Sequence, residues 1–545
     1  MAQPLQAINL VAPGFKGVNT EDSPIAEDFS FADVADNAVI DKRGRIAARK
    51  GVRLYTHDRT PLGSGFAEKI HFFYDDAGNE EIFVAGNNEI YKVTTTTDPD
   101  DTLVSITPSG YTIGDNNWKI INFNNQAYFF QRGQEPLVYS NADGLQTFGE
   151  FNGDLTDTKL YCNEVLGAYG RLWAVDNGAN TQIVHWSDLL IGTSFSGGSS
   201  GSIDISKAWP DGYDEIRALV AHNNQLIILG KHSIIVFANA FSPANMAMAD
   251  TVAGVGCICR NSVQHIGSDV LFMSDDGLRS FGRTITEKSM PLSDLSINVR
   301  TELVELIDNR SCATESAYSP EHAFYLIAFP DQGTVYCFDL KGKLENNSFR
   351  ATRWPGSKFK CFERKNTDGQ LLIGTVDGLG FYDGYSDQVN NSGNIEQDSY
   401  LFKYYSPALT FGSPDKLKFL KKLRPTIVGA NSSTVFMKWA YDFQTTESTA
   451  AFRIGNQMPA YFSDPRDSAG NMISAGGLAQ FGESPDIDGK TFEVSEYTGG
   501  GITTRRSVNT AGSGSVVTIG LESEINGFPL SLQEINVLAL MGKTL

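Results

Sequence analysis

The chain has 545 residues and a formal net charge of −20, with 41% hydrophobic and 20% charged residues. This length exceeds one ordinary hydrophobic core, so we expect several domains or one large repeat assembly. The balance of apolar and charged residues excludes a largely disordered chain. The excess of carboxylates disfavours tight, sequence-independent binding to DNA or to an anionic membrane. Because no apolar run reaches about 18 residues, we expect no transmembrane helix and no stable membrane insertion.

The first 60 residues predict an extended N-terminal arm that ends in a hairpin. The hairpin is AVIDKRGRIAARKG (38–51), in which two apolar runs flank a turn at Lys42-Arg43-Gly44. This segment precedes the repeats described next. We therefore assign residues 1–60 to an arm and hairpin of their own.

Between residues 61 and 398 the chain contains seven hairpin-like segments. Each has an apolar alternating run, a short turn rich in Gly, Asn or Asp, and a second run that carries an aromatic residue. The segments are EIFVAGNNEIYKV (81–93), AYFFQRGQEPLVYS (127–140), RLWAVDNGANTQIVHWSD (171–188), QLIILGKHSIIVFAN (225–239), DVLFMSDDGLRSFGR (269–283), AFYLIAFPDQGTVYCFDLKG (323–342) and QLLIGTVDGLGFYDG (370–384). Their aromatic residues are Tyr91, Tyr139, Trp186, Phe237, Phe281, Phe338 and Tyr382, at intervals of 44 to 57 residues.

A repeat of this length with two central strands per unit is typical of the four-stranded blades of a β-propeller. Helical repeats of similar length would need an amphipathic period of about 3.6 residues in every unit, which these segments lack. One blade cannot bury both faces of its sheet, so neighbouring blades stack around a central axis. We therefore predict an irregular β-propeller of six to eight blades over residues 61–398.

One segment breaks the β pattern. In PLSDLSINVRTELVELID (291–308), leucines and valines recur along one helical stripe, and Ser293 and Ser296 are candidates for the N-cap. The segment falls in the longest interval between repeats. We predict an inserted helix packed on the rim of a blade.

The repeat stops near residue 399, and the remainder to residue 545 predicts a C-terminal β-sandwich. Candidate antiparallel strands are KYYSPALTFGS (403–413), KKLRPTIVGA (421–430), STVFMKWAYDF (433–443), GSVVTIGLES (514–523) and LQEINVLALMG (532–542). Residues 444–490 are rich in Ser, Gly, Asp, Asn and Pro and predict a long inserted loop. The predicted fold class is thus all-β.

The stretch SDDGLRSFG (274–282) raises the question of a carboxylate site at Asp275 and Asp276. A calcium loop would need oxygen ligands at alternating positions and a downstream glutamate at fixed spacing, which this stretch lacks. Asp-Gly between alternating apolar runs is instead a strong signal for a hairpin turn. The same dipeptide recurs in TVDG (375–378). We predict a turn.

Other candidates for chemistry give no site. The six cysteines are scattered, and Cys257 and Cys259, if in a strand, would share one face as packed thiols rather than bind metal. The seven histidines show no metal-ligand spacing. The glycine-rich stretch at 197–201 predicts a surface loop, because no helix start follows it. We expect no catalytic residue, no metal and no cofactor, and therefore not an enzyme.

A basic run stands out in this acidic chain, and its members are Lys416, Lys418, Lys421, Lys422 and Arg424. One interpretation is the solvated face of a strand or helix. The other is a contact with an acidic neighbouring subunit or with DNA phosphate in an assembly.

These parts together resemble the tail hub or nozzle proteins of short-tailed bacteriophages, also called tail tubular protein B-like proteins or tail accessory factors. The resemblance covers most of the chain in layout: the arm at 14–52, the irregular propeller and the final segment FPLSLQEINVLALMGKTL (528–545). Its short motifs are an arm pattern of Ala35, Asn37, Asp41, Gly44, Arg49 and Gly51, then HWSDLL (185–190) and QLIILGKHSIIVF (225–237). The loop at 444–490 has no counterpart in that layout.

The resemblance implies a structural protein of the virion, located in its short tail and assembled in the cytoplasm of the bacterial host. Such a protein forms a ring, usually a hexamer, below the portal–adaptor complex, and it carries tail fibres or a needle. Viral DNA is retained in and ejected through the channel without sequence-specific binding. An acidic channel would repel phosphates and let DNA slide, which gives the net charge of −20 a use.

Two other functions fit a propeller. One is a glycosidase or polysaccharide lyase acting on the host envelope, which for a glycosidase requires a carboxylate pair placed across the substrate. The other is a monomeric receptor- or carbohydrate-binding module at the tip of a tail. The solution mass separates both from a ring-forming conduit.

Overall fold

The computed structural model describes residues 5–55, 60–95, 101–152, 158–267, 269–287, 294–308, 314–391, 394–430, 433–454 and 503–544. The predicted loop at 444–490 lies mostly outside these ranges, as do Ser293 and Cys312. Most regular structure in the described ranges consists of strands. The predicted all-β class is therefore confirmed.

The predicted arm contributes five short strands. They are β1 (Gln6–Val11), β2 (Val34–Asp36), β3 (Ala38–Ile40), β4 (Ile46–Ala48) and β5 (Val52–Leu54). β3 and β4 pair as the predicted antiparallel hairpin, with Gly44 in the turn at φ 75°. β1, β2 and β5 pair with strands hundreds of residues away, so the arm forms no layer of its own.

Seven sheets follow along the chain, and each holds one predicted hairpin. Their strands are β6 (Lys69–Tyr74), β7 (Glu80–Gly86), β8 (Glu89–Thr95) and β9 (Asp101–Ser105); β10 (Lys119–Phe123), β11 (Gln126–Phe130), β12 (Leu137–Ser140) and β13 (Gly144–Thr147); β14 (Glu164–Ala168), β15 (Arg171–Val175), β16 (Ile183–Trp186) and β17 (Gly201–Asp204); β18 (Ile216–His222), β19 (Gln225–Gly230), β20 (Ser233–Ala238) and β21 (Ala247–Ala253); β22 (Gln264–Ile266), β23 (Asp269–Ser274) and β24 (Gly277–Ser280); β25 (Glu315–Ser319), β26 (Phe324–Phe329), β27 (Thr334–Lys343) and β28 (Phe349–Pro355); β29 (Phe359–Arg364), β30 (Leu371–Thr375) and β31 (Gly378–Tyr382).

These sheets form a β-propeller. Six of them are four-stranded blades, counting β5 as the outer strand beside β31, and the sheet of β22–β24 has three strands. The first strands of successive sheets lie side by side around the axis, and contact between β29 and β6 closes the ring. The sheets of β18–β21 and β22–β24 share one apolar core. The blade number lies within the predicted range.

Asparagine pairs make several of the tight turns between blade strands. The pairs at 87–88, 124–125 and 223–224 have both residues at positive φ, between 45° and 62°. Asparagine tolerates positive φ better than most residues. A two-residue turn in this conformation has a backbone twist that matches the twist of the flanking strands. The turns therefore follow from local sequence.

The C-terminal part is the predicted β-sandwich. Its strands, after the hairpin of β32 (Asp387–Asn391) and β33 (Asn394–Asp398), are β34 (Tyr400–Tyr405), β35 (Lys416–Gly429), β36 (Thr434–Tyr441), β37 (Ser448–Arg453), β38 (Thr503–Arg505), β39 (Val508–Asn509), β40 (Val517–Ile525) and β41 (Leu530–Thr544). One sheet has the order β3-β4-β41-β35-β38, with β1 on β41 and β39 on β35. The other has the order β25-β26-β27-β28-β2-β34-β40-β36-β37. A propeller blade and half of the sandwich are thus one continuous sheet.

The described residues contain three α-helices and five short 3-10 turns. The helices are α1 (Phe148–Asn152), α2 (Phe281–Glu287) and α3 (Arg300–Asp308), and the turns are Thr60–Leu62, Thr158–Leu160, Pro243–Asn245, Arg260–Ser262 and Ile297–Val299. None of the helices in the described ranges is long and apolar enough to span a bilayer. Phe281 begins α2, whereas the other six repeat aromatics lie within strands.

The predicted helix at 291–308 is shorter than expected. It begins at Arg300, after the 3-10 turn Ile297–Val299, and the side chain of Ser296 does not cap it. The Ser296 hydroxyl instead donates to Asp294 at 2.6 Å and accepts from the backbone N–H of Leu278 at 3.0 Å. Leu303 is fully buried, which fixes the helix against the blades as predicted.

Cys257 and Cys259 do not lie in a strand. Both precede the 3-10 turn Arg260–Ser262 in a loop, because the chain must leave one blade there and enter the next. Both thiols are buried. Burial raises the pKa of Cys257 to about 12.

Candidate functional site: the clasp between propeller and sandwich

A segment of the arm, residues 34–54, joins the propeller to the sandwich, and we call it the clasp. Its strand β2 lies parallel to β28 of the propeller and antiparallel to β34 of the sandwich. Its hairpin borders β41 of the sandwich. Its last strand, β5, completes the final blade beside β31. One short stretch therefore hydrogen-bonds to both domains.

Asn37 connects three backbone segments at the centre of the clasp. Its φ is 51°, a left-handed conformation that asparagine tolerates. Its side-chain amide donates to the carbonyl oxygen of Leu401 in the sandwich at 2.9 Å. Its backbone N–H donates to the carbonyl oxygen of Arg353 in the propeller at 2.7 Å. Its side-chain oxygen accepts from Nε of Arg49 at 3.0 Å.

Arg49 forms a buried, bidentate ion pair with Asp387. Its side chain is 3% exposed, and its two terminal nitrogens lie 3.0 and 2.7 Å from the two carboxylate oxygens. It also donates to the carbonyl oxygen of Lys50 at 2.9 Å. The planar guanidinium matches the carboxylate in shape, so pairs of this geometry are among the stronger charged contacts.

Aromatic rings from both domains surround the Arg49 guanidinium. The ring centroid of Tyr400, from the sandwich, lies 4.0 Å from the guanidinium carbon, and those of Phe359 and Trp354, from the propeller, lie at 5.2 and 5.7 Å. Burial acts to lower the pKa of Arg49, but the Asp387 carboxylate offsets this and the pKa is raised overall. Arg49 therefore remains a cation between the two domains.

Two more residues of the arm pattern have a packing role. A Cβ at Gly51 would collide with the backbone carbonyl oxygen of Ser386, so only glycine fits. The Asp41 carboxylate accepts from the backbone N–H of Arg45 at 2.9 Å and from its Nε at 2.8 Å, which closes the hairpin turn. The pattern thus encodes the shape of the clasp.

The strand β2 adds charged contacts with the propeller. Ala35 is fully buried, and Asp36 lies 3.1 Å from Nε of Arg353. Arg353 also lies 3.3 Å from Glu302 on α3. Burial acts to lower the pKa of Arg353, but the two carboxylates raise it overall.

A second polar cluster lies along the propeller axis, on the first strands of the blades. Nζ of Lys69 lies 3.1 Å from Glu315, and Nδ1 of His71 lies 3.7 Å from Glu363. Burial raises the pKa of Glu363 to about 7, and burial lowers the pKa of His71 to about 4. The ion pair of Lys69 and Glu315 therefore lies on the axis.

Arg260 spans one end of the axis. It is 7% exposed and lies just before β22. One terminal nitrogen donates to the backbone and side-chain oxygens of Asn117, at 2.6 Å each. The other donates to the side-chain oxygen of Asn163 at 2.9 Å. Because Asn117 and Asn163 precede the first strands of two other blades, Arg260 crosses the mouth of the axis.

The predicted basic run lies on β35, where Lys421 and Lys422 are both exposed. A β-bulge between Leu420 and Lys422 shifts the alternation of the strand by one residue and turns both lysines outward. Lys416 and Arg424 are partly exposed. Four members of the run thus reach solvent.

Lys418, the remaining member, does not belong to a contact surface. It is fully buried because side chains alternate between the two faces of β35, and Lys418 lies on the face that points into the core. Its Nζ donates to the carbonyl oxygens of Ser413 and Ser515, and burial lowers its pKa. Its role is to satisfy two buried carbonyl groups.

Asp275 and Asp276 form the two-residue turn between β23 and β24, as predicted, and Gly277 follows at φ 132°. Gly378 adopts φ 131° in the related hairpin. Asp276 also pairs with Arg279, whose side chain is 3% exposed. The sequence pattern did not reveal this contact, so Asp276 is more than a turn residue.

The partners of the clasp and the axis were missed from the sequence. Asp387 lies 338 residues from Arg49, beyond any local pattern. One feature of the sequence could have indicated the polar axis, because the first strands of several blades begin with a charged residue: Lys69, Lys119, Glu164 and Glu315. In the described ranges no group of three or more His, Cys, Asp or Glu is placed to hold a metal ion.

No protein-family model matches the chain, and no curated protein matches it. Similar solved structures include PorZ, a surface component of the type-IX secretion system of Porphyromonas gingivalis, at 13% identity and a TM-score of 0.34 over 65% of this chain. The chain spans only 43% of PorZ. The Pan2 WD40 domain of Neurospora crassa matches at 8% identity and a TM-score of 0.37, over 62% of this chain and 94% of that domain.

A streptogramin B lyase matches at 8% identity and a TM-score of 0.36, over 61% of this chain and 97% of the lyase. None of the three is described as a virus tail protein. At TM-scores below 0.5 these likenesses carry no argument about activity or partners. The β-propeller class of this chain rests on its own strand pairing.

Proposed function

We propose that the chain is a structural virion protein that forms the nozzle or hub of a short bacteriophage tail, an oligomeric conduit below the portal and adaptor. The observation that carries the proposal is the clasp. Asn37 and Arg49, two of the arm residues on which the family resemblance rests, tie the propeller to the sandwich. Domains joined by a simple linker move relative to each other by default. A continuous sheet and a buried ion pair suit a subunit that must transmit force as one body.

The conduit in this proposal runs between subunits and not through a propeller. Arg260 and the charges along the axis occupy the centre of each propeller. The ring axis is then the path for DNA, and a net charge of −20 favours sliding over binding. Tail fibres or a needle attach to the outside of such a ring.

The test is the solution mass of the purified protein, alone and with a portal–adaptor complex. A closed ring, formed alone or only on the complex, supports the proposal. A protein that stays monomeric under both conditions and cleaves or retains bacterial polysaccharide would be an enzyme or a receptor-binding module instead. A hydrolysis assay on host polysaccharide separates those two.

A further inference from the structure

The outer face of the sheet β41–β35–β38 carries a cluster of cations that we call the basic face: Lys421, Lys422, Arg424, Arg505 and Arg506. Lys421, Lys422 and Arg506 are exposed, and the Arg505 side chain is 54% exposed. Arg505 lies 3.1 Å from Glu534 on the same face. Within the described ranges the other four form no ion pair. Unpaired cations gathered on one sheet face are unusual in a chain of net charge −20.

A complementary cluster lies in residues 19–33, which we call the arm loop. Four of its carboxylates, those of Asp22, Glu27, Asp28 and Asp33, have no cationic partner in the described part of the chain. Both carboxylate oxygens of Glu27 are buried without a hydrogen-bond partner. Burial, and then the charges of Asp33, Asp22 and Asp28, raise the pKa of Glu27 to about 8. The negative charge that the loop presents to solvent therefore comes mainly from the exposed carboxylates of Asp22 and Asp28.

The two clusters lie on different elements of the chain. The basic face points outward from the sheet of β35. The arm loop packs beside the other sheet, where the N–H of Asp33 donates to Tyr405 O at 3.0 Å and that of Ala408 donates to Pro24 O at 3.1 Å. Two different, complementary surfaces on one chain make a heterologous contact between copies, which closes into a ring when the rotation permits.

We infer that the basic face docks on the arm loop of a second copy of this chain, and that this contact joins neighbouring subunits of the ring. This inference rests on the proposed function and adds which surfaces meet. Electrostatic complementarity of this kind sets the partner and the register of an interface. Nucleic acid phosphate is the competing partner for the basic face, and the experiment separates it.

The experiment compares three variants by mass photometry and sedimentation velocity. K421E/K422E reverses the charge of two lysines on the basic face, and D22K/D28K reverses the charge of two carboxylates in the arm loop. The third variant carries all four changes. Each reversal alone is expected to weaken association by about tenfold or more. The four-fold variant should assemble again. An equimolar mixture of the two single-surface reversals should also assemble, because each supplies the surface that the other lacks.

The matched control is K42E/R43E, which makes the same charge change at two exposed residues of the arm hairpin and should leave association unchanged. If the wild type assembles but both reversals assemble equally well, this inference is wrong and the proposed function stands. If the wild type assembles neither alone nor with a portal–adaptor complex, the proposed function fails and the inference with it. If K421E/K422E loses affinity for a DNA duplex but keeps its assembly, the partner is phosphate and the inference is overturned.

Discussion

The buried ion pair of the clasp gives the sharpest prediction. Replacing Arg49 with alanine removes the bidentate pair with Asp387 and the hydrogen bonds to Asn37 and Lys50. Breaking a buried pair costs about 3–5 kcal/mol, because the remaining charge is left uncompensated. The Asp387 side chain is 24% exposed, so water reduces this cost to about 3 kcal/mol. Each lost neutral acceptor adds about 1 kcal/mol.

The expected total for Arg49→Ala is about 4–5 kcal/mol of unfolding free energy. The assay is scanning calorimetry with urea titration. The wild type should unfold propeller and sandwich in one coupled transition. The variant should show two, since the ion pair and hydrogen bonds through which Arg49 couples the domains are lost. Asp387→Asn should behave similarly, and the double variant should be less destabilised than the sum of the two by about 2 kcal/mol.

The matched control is Arg53→Ala, from the same segment. The Arg53 side chain is 54% exposed and lies 3.5 Å from Asp383, itself 52% exposed. Exposed pairs of this kind contribute about 0–1 kcal/mol, so this variant should unfold like the wild type. If Arg49→Ala and Arg53→Ala have equal effects, the clasp does not couple the two domains.

Three further predictions follow from single contacts. Gly51→Ala should destabilise by about 1–3 kcal/mol in urea titration, because its Cβ would meet the backbone oxygen of Ser386; wild-type stability would contradict the close packing. Burial raises the pKa of Glu363 from 4.5 to about 7, so folding favours the protonated carboxyl group. The wild type therefore loses folding free energy as the pH rises from 4.5 to about 7. The stability of Glu363→Gln relative to wild type should therefore increase from pH 4.5 to 7, and a flat difference would refute the burial. Asp276→Asn should lower the melting temperature more than Asp275→Asn, because only Asp276 pairs with the buried Arg279; equal shifts would contradict that role.

The hairpins were predictable because their signals are local. Alternating apolar runs and turn residues such as Asn87 or Gly277 lie next to one another in the sequence, and the strand phase follows from them. Phe281 shows the limit of this reasoning. Its spacing matched the other aromatics, but the chain turns into α2 at that residue. Spacing alone does not distinguish the end of a strand from the start of a helix.

The clasp and the basic run could be predicted only in part. The arm pattern singled out Asn37 and Arg49, but their partners in the sandwich and final blade lie more than three hundred residues away. The basic run was correctly placed on one strand or helix, yet charge alone could not separate buried Lys418 from exposed Lys421. Which lysines are buried depends on the alternation of side chains along β35 and on its β-bulge, and both are set by pairing with β41.

Electron microscopy of the protein mixed with a portal–adaptor complex tests whether the chain forms a tail conduit. We predict a ring of identical subunits on the complex, with a channel between subunits and each propeller closed at its own axis. The channel wall should be lined mainly by Asp and Glu. A monomer that does not bind the complex, or a ring whose channel is lined mainly by Lys and Arg, would contradict the account.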